Sequence, residues 1–148
     1  MDDSEVNPTD RLQRLLNEAG YTSTATGDGQ FYVLFSGRHR EWNFRAHATH
    51  DWVFLRTYVC DVPSENGLRD KLTSYVLKTN ASVSLVKFGI VNGKLTLDID
   101  YRFEHVDAST LGNLIGFLHT IAEEHYAPVF RIVSGDETLT ALAGAVAA

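Results

Sequence analysis

Apolar residues recur along this chain with two periods, and the switches between them mark out its elements. Leu12, Leu15, Leu16 and Ala19 stand at i, i+3, i+4 and i+7. That spacing draws one stripe down a helix and predicts a first helix from about Thr9 to Ala19. Pro8 and Thr9 suit its start and Gly20 its stop. The period then falls to two. A first strand covers about Gln30 to Ser36. In a second, Trp42, Phe44, Ala46 and Ala48 alternate with Asn43, Arg45, His47 and Thr49, as a half-buried strand does. His50 and Asp51 can turn the chain into a third strand, Trp52 to about Val62. There both faces are apolar: Val53, Leu55 and Val59 on one, Trp52, Phe54, Tyr58 and Val62 on the other. A central strand covered on both sides has this pattern, and so does a strand whose outer face meets a partner.

Pro63 and Ser64 end that strand and cap a second helix, about Glu65 to Thr79, with the stripe Leu68, Leu72, Tyr75, Val76 and Thr79. The clearest local signal follows. Val86, Phe88 and Ile90 alternate, Asn92-Gly93 turns, and Leu95, Leu97, Ile99, Tyr101 and Phe103 alternate again. Asn-Gly supplies the positive φ angles of a two-residue hairpin turn. The intervening Thr96, Asp98, Asp100, Arg102 and Glu104 predict a water-facing outer side. Asp107 is a good N-cap for a third helix, whose buried stripe is Leu111, Leu114, Ile115, Leu118, Ile121, Ala122 and His125. Pro128 interrupts the helical pattern, and Val129 to Val133 read as a further turn or a short extended piece. The order α-β-β-β-α-β-β-α predicts an α+β fold, an antiparallel sheet with helices packed on one face. Residues 1–8 read as a disordered lead-in, 9–134 as a single domain and 135–148 as a C-terminal helical tail.

Composition narrows the function. The chain has 148 residues, 44% of them hydrophobic, with eight Phe, six Tyr and two Trp. That is enough for one well-filled core. Cys60 is the single cysteine, so no intrachain disulfide forms, which fits a reducing compartment. The start, Met1 to Glu5, lacks the basic and apolar stretches of a signal peptide, and no apolar run reaches membrane-spanning length. The expectation is a cytoplasmic protein without a membrane partner. A net charge of −6 argues against nucleic acid, whose phosphates call for a basic footprint. The one basic cluster, Arg38-His39-Arg40, reads as a solvated turn tip.

Candidate chemistry is sparse. His119 and Glu123 are i, i+4 on the third helix and could share a metal, but no third ligand is suitably spaced, so they read as a solvent-facing pair. His47, His50 and His105 read as exposed turn or strand-face residues. Asp98 and Asp100 lie on one face of a strand, beside Arg102, as solvated carboxylates rather than an acid–base pair. Cys60 has no positioned base. Gly27-Asp28-Gly29 lacks the rest of a phosphate-binding pattern and reads as the turn before the first strand. The expectation is a non-enzyme with no catalytic residues, no metal and no cofactor.

The segments "RLQRLLNEAGY" (Arg11 to Tyr21), "LTSYVLKTNASVSLVKFGIVNGKLTLDIDYRFEHV" (Leu72 to Val106) and "ASTLGNLIGFLHTIAEEHYAPVF" (Ala108 to Phe130) together resemble the YbjN family, within the type III secretion chaperone-like fold. The resemblance rests on Asn80 at the end of the second helix and on Phe88, Gly93, Leu95 and Leu97 of the hairpin. It implies a non-enzymatic, often dimeric, protein-binding or regulatory role in bacterial cytoplasm. The aromatic load of the first sheet half supplies candidate contacts: Phe31, Tyr32, Trp42, Trp52 and Phe54, with Trp42 and Trp52 as leading anchors. The second-helix stripe, Leu68, Leu72 and Tyr75, supplies candidate homodimer contacts. The alternative is a small-ligand receptor with a cavity between the sheet and the third helix.

Overall fold

The computed structural model describes residues 6–135. Helix α1 (Pro8–Glu18) leads into strands β1 (Thr24–Ala25), β2 (Phe31–Ser36), β3 (Glu41–Ala48) and β4 (Trp52–Asp61). Helix α2 (Asn66–Ser82) connects these to β5 (Lys87–Val91) and β6 (Lys94–Arg102), and a short 3-10 turn (Phe103–His105) leads to α3 (Ala108–Ser134). The strands form one antiparallel sheet in the order β1-β2-β3-β4-β6-β5. The architecture is α+β as expected. The residues assigned to the tail, apart from Gly135, and the first five of the lead-in lie outside the described residues.

Three helices share the sheet's inner face. Helix α1 packs on β3, α3 runs over β4 and β6, and α2 rests on β5 and α3. Their stripes meet one set of alternating strand residues. Leu12, Leu16, Leu111, Ile115 and Leu118 pack with Phe31, Val33, Trp42, Phe44, Val53, Leu55, Leu97 and Ile99 in one core. These side chains fill the centre of the space in which the receptor alternative places its cavity, and an open concavity of about 360 Å³ remains at its margin, between the turn at Gly37 and Arg38 and the His119–Glu124 stretch of α3. Arg11 ties α1 to the start of α3, donating to the carbonyls of Phe103 and Val106 at 2.9 Å each and stacking on the Phe103 ring.

Several boundaries differ from expectation for identifiable reasons. Strand β1 is two residues long, too short to show a period, and Gly27-Asp28-Gly29 is the turn between it and β2. Glu65, not Ser64, caps α2, because its two carboxylate oxygens accept from two orphan amides, Gly67 and Leu68. Helix α3 does not stop at Pro128. Proline there removes one helical donor, yet Val129 beyond it is buried in the core. The helix ends at Gly135, whose φ of 68° gives a left-handed stop. The Asn92-Gly93 turn is as expected, with φ of 51° and 74°.

The basic turn between β2 and β3 is docked, not free in solvent. Glu123 of α3 accepts from the Trp42 indole N–H at 2.7 Å and from the Arg38 backbone N–H at 3.1 Å. His39 stacks on Tyr126. Arg40 lies over Trp42 and donates at 2.6 Å to the carbonyl of Val59, where β4 carries one extra residue against β6. A bulge leaves backbone groups off the ladder, and Arg40 fills one of them. The His119–Glu123 pair is likewise half-buried at the side of α3, because Glu123 is drawn inward to the indole. Burial works against the ionised Glu123, but the hydrogen bonds from Arg38 and Trp42 and the nearby His119 and His39 outweigh it and hold its pKa below the ordinary value.

Trp42 is 0% exposed, so Glu123→Ala strands a buried donor and should cost about 1–3 kcal/mol in urea unfolding. Glu123→Gln keeps an acceptor and should recover most of that at neutral pH. Because the folded pKa is depressed, the wild-type contribution is present above the ordinary carboxyl value and lost as pH falls through the folded one. The stability difference between wild type and the Gln variant should therefore shrink on acidification.

Candidate functional site

With the helices on one face, the other face of the sheet carries no covering element among the described residues. Its cross-strand rows follow from the register. One row runs Tyr32, Arg45, Arg56, Asp98, Lys87, and the next His47, Phe54, Asp100; Trp52 opposes Arg102 at the end. The face keeps its aromatic rings partly dry by stacking cations and imidazole on them. The Arg45 guanidinium sits 4.9 Å from the Tyr32 ring centre and 5.2 Å from that of Tyr58, and Arg102 sits 5.3 Å from Trp52. His47 stacks on Phe54 at 4.6 Å. Such contacts contribute about 0.5–1 kcal/mol each at exposed sites. Arg56 pairs with Asp98, which also accepts from Thr96.

The two edges of the sheet differ. At β5, antiparallel pairing across the Asn92-Gly93 turn leaves the N–H and C=O of Phe88 pointing outward. The side-chain amide of Asn80, on α2, meets both: its Oδ1 accepts from Phe88 N at 2.7 Å and its Nδ2 donates to Phe88 O at 3.1 Å. One amide thereby occupies the place of a neighbouring strand at Phe88, while the outward backbone groups of Ile90, 51% exposed, carry no such cap among the described residues. At the opposite edge, β1 pairs only with Phe31 and Tyr32 of β2. The Gly37 N–H to Arg40 carbonyl bond fixes which β2 groups face β3. By alternation, those of Leu34 and Ser36 face outward, beyond the reach of β1. Leu34 is also 62% exposed on the open face. A bare backbone edge beside an exposed apolar side chain can pair with an extended chain.

The structure divides the residues proposed from sequence. Tyr32, Trp52 and Phe54 lie on the open face, with Trp52 38% exposed. Phe31 and Trp42 point the other way and are buried in the core, so neither is an anchor on the free surface. Adjacent strand residues face opposite sides, and both faces here are aromatic, so alternation alone does not say which is covered. Of the dimer candidates, Leu72 is fully buried within its own chain. Leu68 is half-buried, and the half-buried Tyr75 bonds through its hydroxyl to His125 Nδ1. The apolar residue α2 presents to solvent is Leu77, 66% exposed. Sequence reasoning missed Arg45 and Arg56, named Asn80 only as a residue of the resemblance, and named Glu123 only as the helical neighbour of His119. Each is polar at a position whose partner is set by register or helix docking, which no period reveals.

The remaining candidate chemistry stays dispersed. Cys60 is half-buried, and burial followed by the Asp61 charge pushes its thiol pKa up, which disfavours the reactive thiolate. No group of three or more His, Cys, Asp or Glu among the described residues could hold a metal. No described helix is long and apolar enough to cross a membrane.

By sequence, no family model and no curated protein matches the chain. By structure the likeness is broad. A chain of the ExsC–ExsE complex superposes with a TM-score of 0.61 at 16% identity, covering 82% of this chain and 95% of that one. The type III secretion chaperone-like fold is shown. A chain of the heterodimeric ExoU–SpcU complex from the type III secretion system of Pseudomonas aeruginosa gives 0.56 at 18% identity, over 81% and 95% of the two chains. YbjN from E. coli gives 0.59 at 12% identity, over 80% and 90%.

The α2–α3 contact makes a pH prediction. His125 lies between Tyr75 and Phe88, and burial holds its pKa below the ordinary imidazole value. The unfolded chain therefore takes up this proton first. Stability should fall as pH drops through about 6.5 toward the lower folded value. Urea midpoints measured across that window should show the loss, and His125→Gln should lessen it, leaving the part due to His47, whose pKa burial also holds down.

Proposed function

We propose that this chain is a non-enzymatic, chaperone-like protein-binding module, or a regulatory adaptor of that kind, working as a homodimer in the cytoplasm. It holds an extended segment of a protein partner along the outer edge of β2, beside Leu34 and the open sheet face. The observation that carries this reading is the bare outer edge of β2, where the outward backbone groups of Leu34 and Ser36 lie beyond β1 and beside the 62% exposed Leu34 side chain, whereas Asn80 caps β5 at Phe88. The likeness to the ExsC–ExsE and ExoU–SpcU complexes supports it, since each of those is an assembly of two proteins. For the homodimer, the side of α2 that carries the half-buried Leu68 and Tyr75 is the proposed contact.

Leu34→Pro tests the edge. Its N–H faces outward, so proline there spares the β3 ladder while removing a donor that an added strand needs. Wild type should capture a specific protein from its host, and the folded Leu34→Pro variant should lose it. Trp52→Ala should weaken capture without unfolding the chain. Equal capture by Leu34→Pro would dismiss the edge, and no capture by wild type would remove the main support for protein binding. Light scattering at tens of micromolar should give twice the 16.5 kDa chain mass; a single monomeric species would exclude the homodimer.

A further inference from the structure

The bare edge of β2 ends at the open concavity of about 360 Å³, with Ser36, Gly37 and Arg38 on one side and His119, Glu123 and Glu124 of α3 on the other. Ser36 belongs to both features: its outward backbone groups lie beyond β1, and it forms part of the concavity's wall. Alternation relates them further. Side chains opposite each other on paired strands share a face. A strand added at Leu34 and Ser36 therefore sends the side chains opposite those two residues to the open face, and the one between, opposite Phe35, to the helix side. The Phe35 ring lies 5.2 Å from that of His119, so the intervening side chain enters the space in front of α3.

The charges of this space are one-sided. Glu124 is exposed and makes no hydrogen bond or ion pair among the described residues. Glu123 accepts from the Trp42 indole and the Arg38 backbone amide, both neutral donors. The imidazoles of His119 and His39 add to those bonds in keeping Glu123 ionised. One guanidinium lines the space, that of Arg38, and it comes within ion-pairing distance of neither carboxylate. Arg40 is turned to the Trp42 ring and the Val59 carbonyl. Two carboxylates against one guanidinium leave the concavity negative, in a chain of −6 overall. A further group waits for a partner. His119 Nε2 is shut off from solvent with no hydrogen bond among the described residues, 3.6 Å from Glu123 Oε1, and a buried polar atom calls for one. A lysine ammonium carries three donors and an arginine five, enough for both carboxylates and, with the ring proton on Nδ1, for this nitrogen.

We propose that the concavity between Gly37 and the His119–Glu124 stretch of α3 receives a basic side chain, lysine or arginine, of the partner segment held at the β2 edge. The inference rests on the protein-binding reading and adds the chemistry of the partner: an extended segment with a basic residue on the helix side and apolar residues, beside Leu34, on the open side. The cation lies between Glu123 and Glu124 while the segment's backbone pairs with Leu34 and Ser36.

The test is a titration of the isotope-labelled full chain, followed at single backbone amides, with three end-blocked peptides, Val-Lys-Val-Lys-Val, Val-Gln-Val-Gln-Val and Val-Glu-Val-Glu-Val, and with n-butylamine. The lysine peptide should shift the amides of Ser36, Arg38, His119 and Glu124 and bind about tenfold more tightly than the glutamine peptide, the worth of one charge-assisted contact. The glutamate peptide should bind weakest. Glu124→Gln should remove most of the preference for lysine. Asp70→Asn removes the same charge from α2, outside the concavity, and should leave the preference intact. Equal effects of the two variants mean a general attraction to an acidic chain and would overturn the proposal. Equal binding of the lysine and glutamine peptides, or no shift at His119 and Glu124, would overturn it too. Butylamine binding as tightly at the same amides marks a site for a free amine and would also overturn it. Shifts at Leu34 and Ser36 alone, equal for all three peptides, would overturn it while leaving the protein-binding reading standing. Loss of wild-type capture in the host experiment is the separate failure of that reading.

Discussion

The indole N–H of Trp42 lies where water does not reach, and Glu123 is its acceptor. Much of the molecule's surface follows from that bond. The carboxylate that satisfies the indole also holds the Arg38 amide, so the β2–β3 turn is fastened to α3. With the turn fixed, Arg40 reaches the β4 bulge at Val59. Helix α3 thereby sets the hairpin's position over the core, and the hairpin in turn presents the outer edge of β2. Gly37 shows how close the fit is, since a Cβ there would stand 1.7 Å from Glu123 Oε1. Any larger residue at 37 must displace the carboxylate or the turn.

The second constraint is coverage. Three helices bury one face of six strands, and the aromatic residues of the other face must meet water. They do so under guanidinium and imidazole groups rather than under more hydrocarbon. A face built in this way stays hydrated while isolated and still offers flat apolar area to a partner, the combination that interface anchors need. The edges are managed by a different device. The amide of Asn80 imitates a strand at Phe88, closing that position of the β5 edge against unwanted pairing, and β1 stops two residues in, leaving the outer edge of β2 available.

How much of this the sequence carries depends on the residue. The stripe of Leu12, Leu15 and Leu16 and the Asn92-Gly93 hairpin are local facts, and local periods report them. The element order, and with it the fold, follows from such facts. Trp42 and Tyr32 are different. Both occupy alternating aromatic strands, and only the side on which the helices settle decides that Trp42 is core and Tyr32 is surface. Leu72 is buried for the same reason. Asn80 was visible as a residue of the resemblance, but its role depends on β5 lying against the end of α2. Arg45 and Arg56 face each other only once the β3–β4 register is set. Periodicity reads one element at a time, and these residues act between elements.

The central claim, that Asn80 closes the β5 edge at Phe88 while the outer edge of β2 is open at Leu34 and Ser36, is tested most directly by hydrogen exchange resolved to single amides on the free chain. Phe88 should exchange slowly, because Asn80 holds its N–H, and Asn80→Ala should release it. Leu34 and Ser36 should exchange orders of magnitude faster than the inward-facing amides of β2 beside them. Slow exchange at Leu34 and Ser36, matching Phe88, would contradict the account.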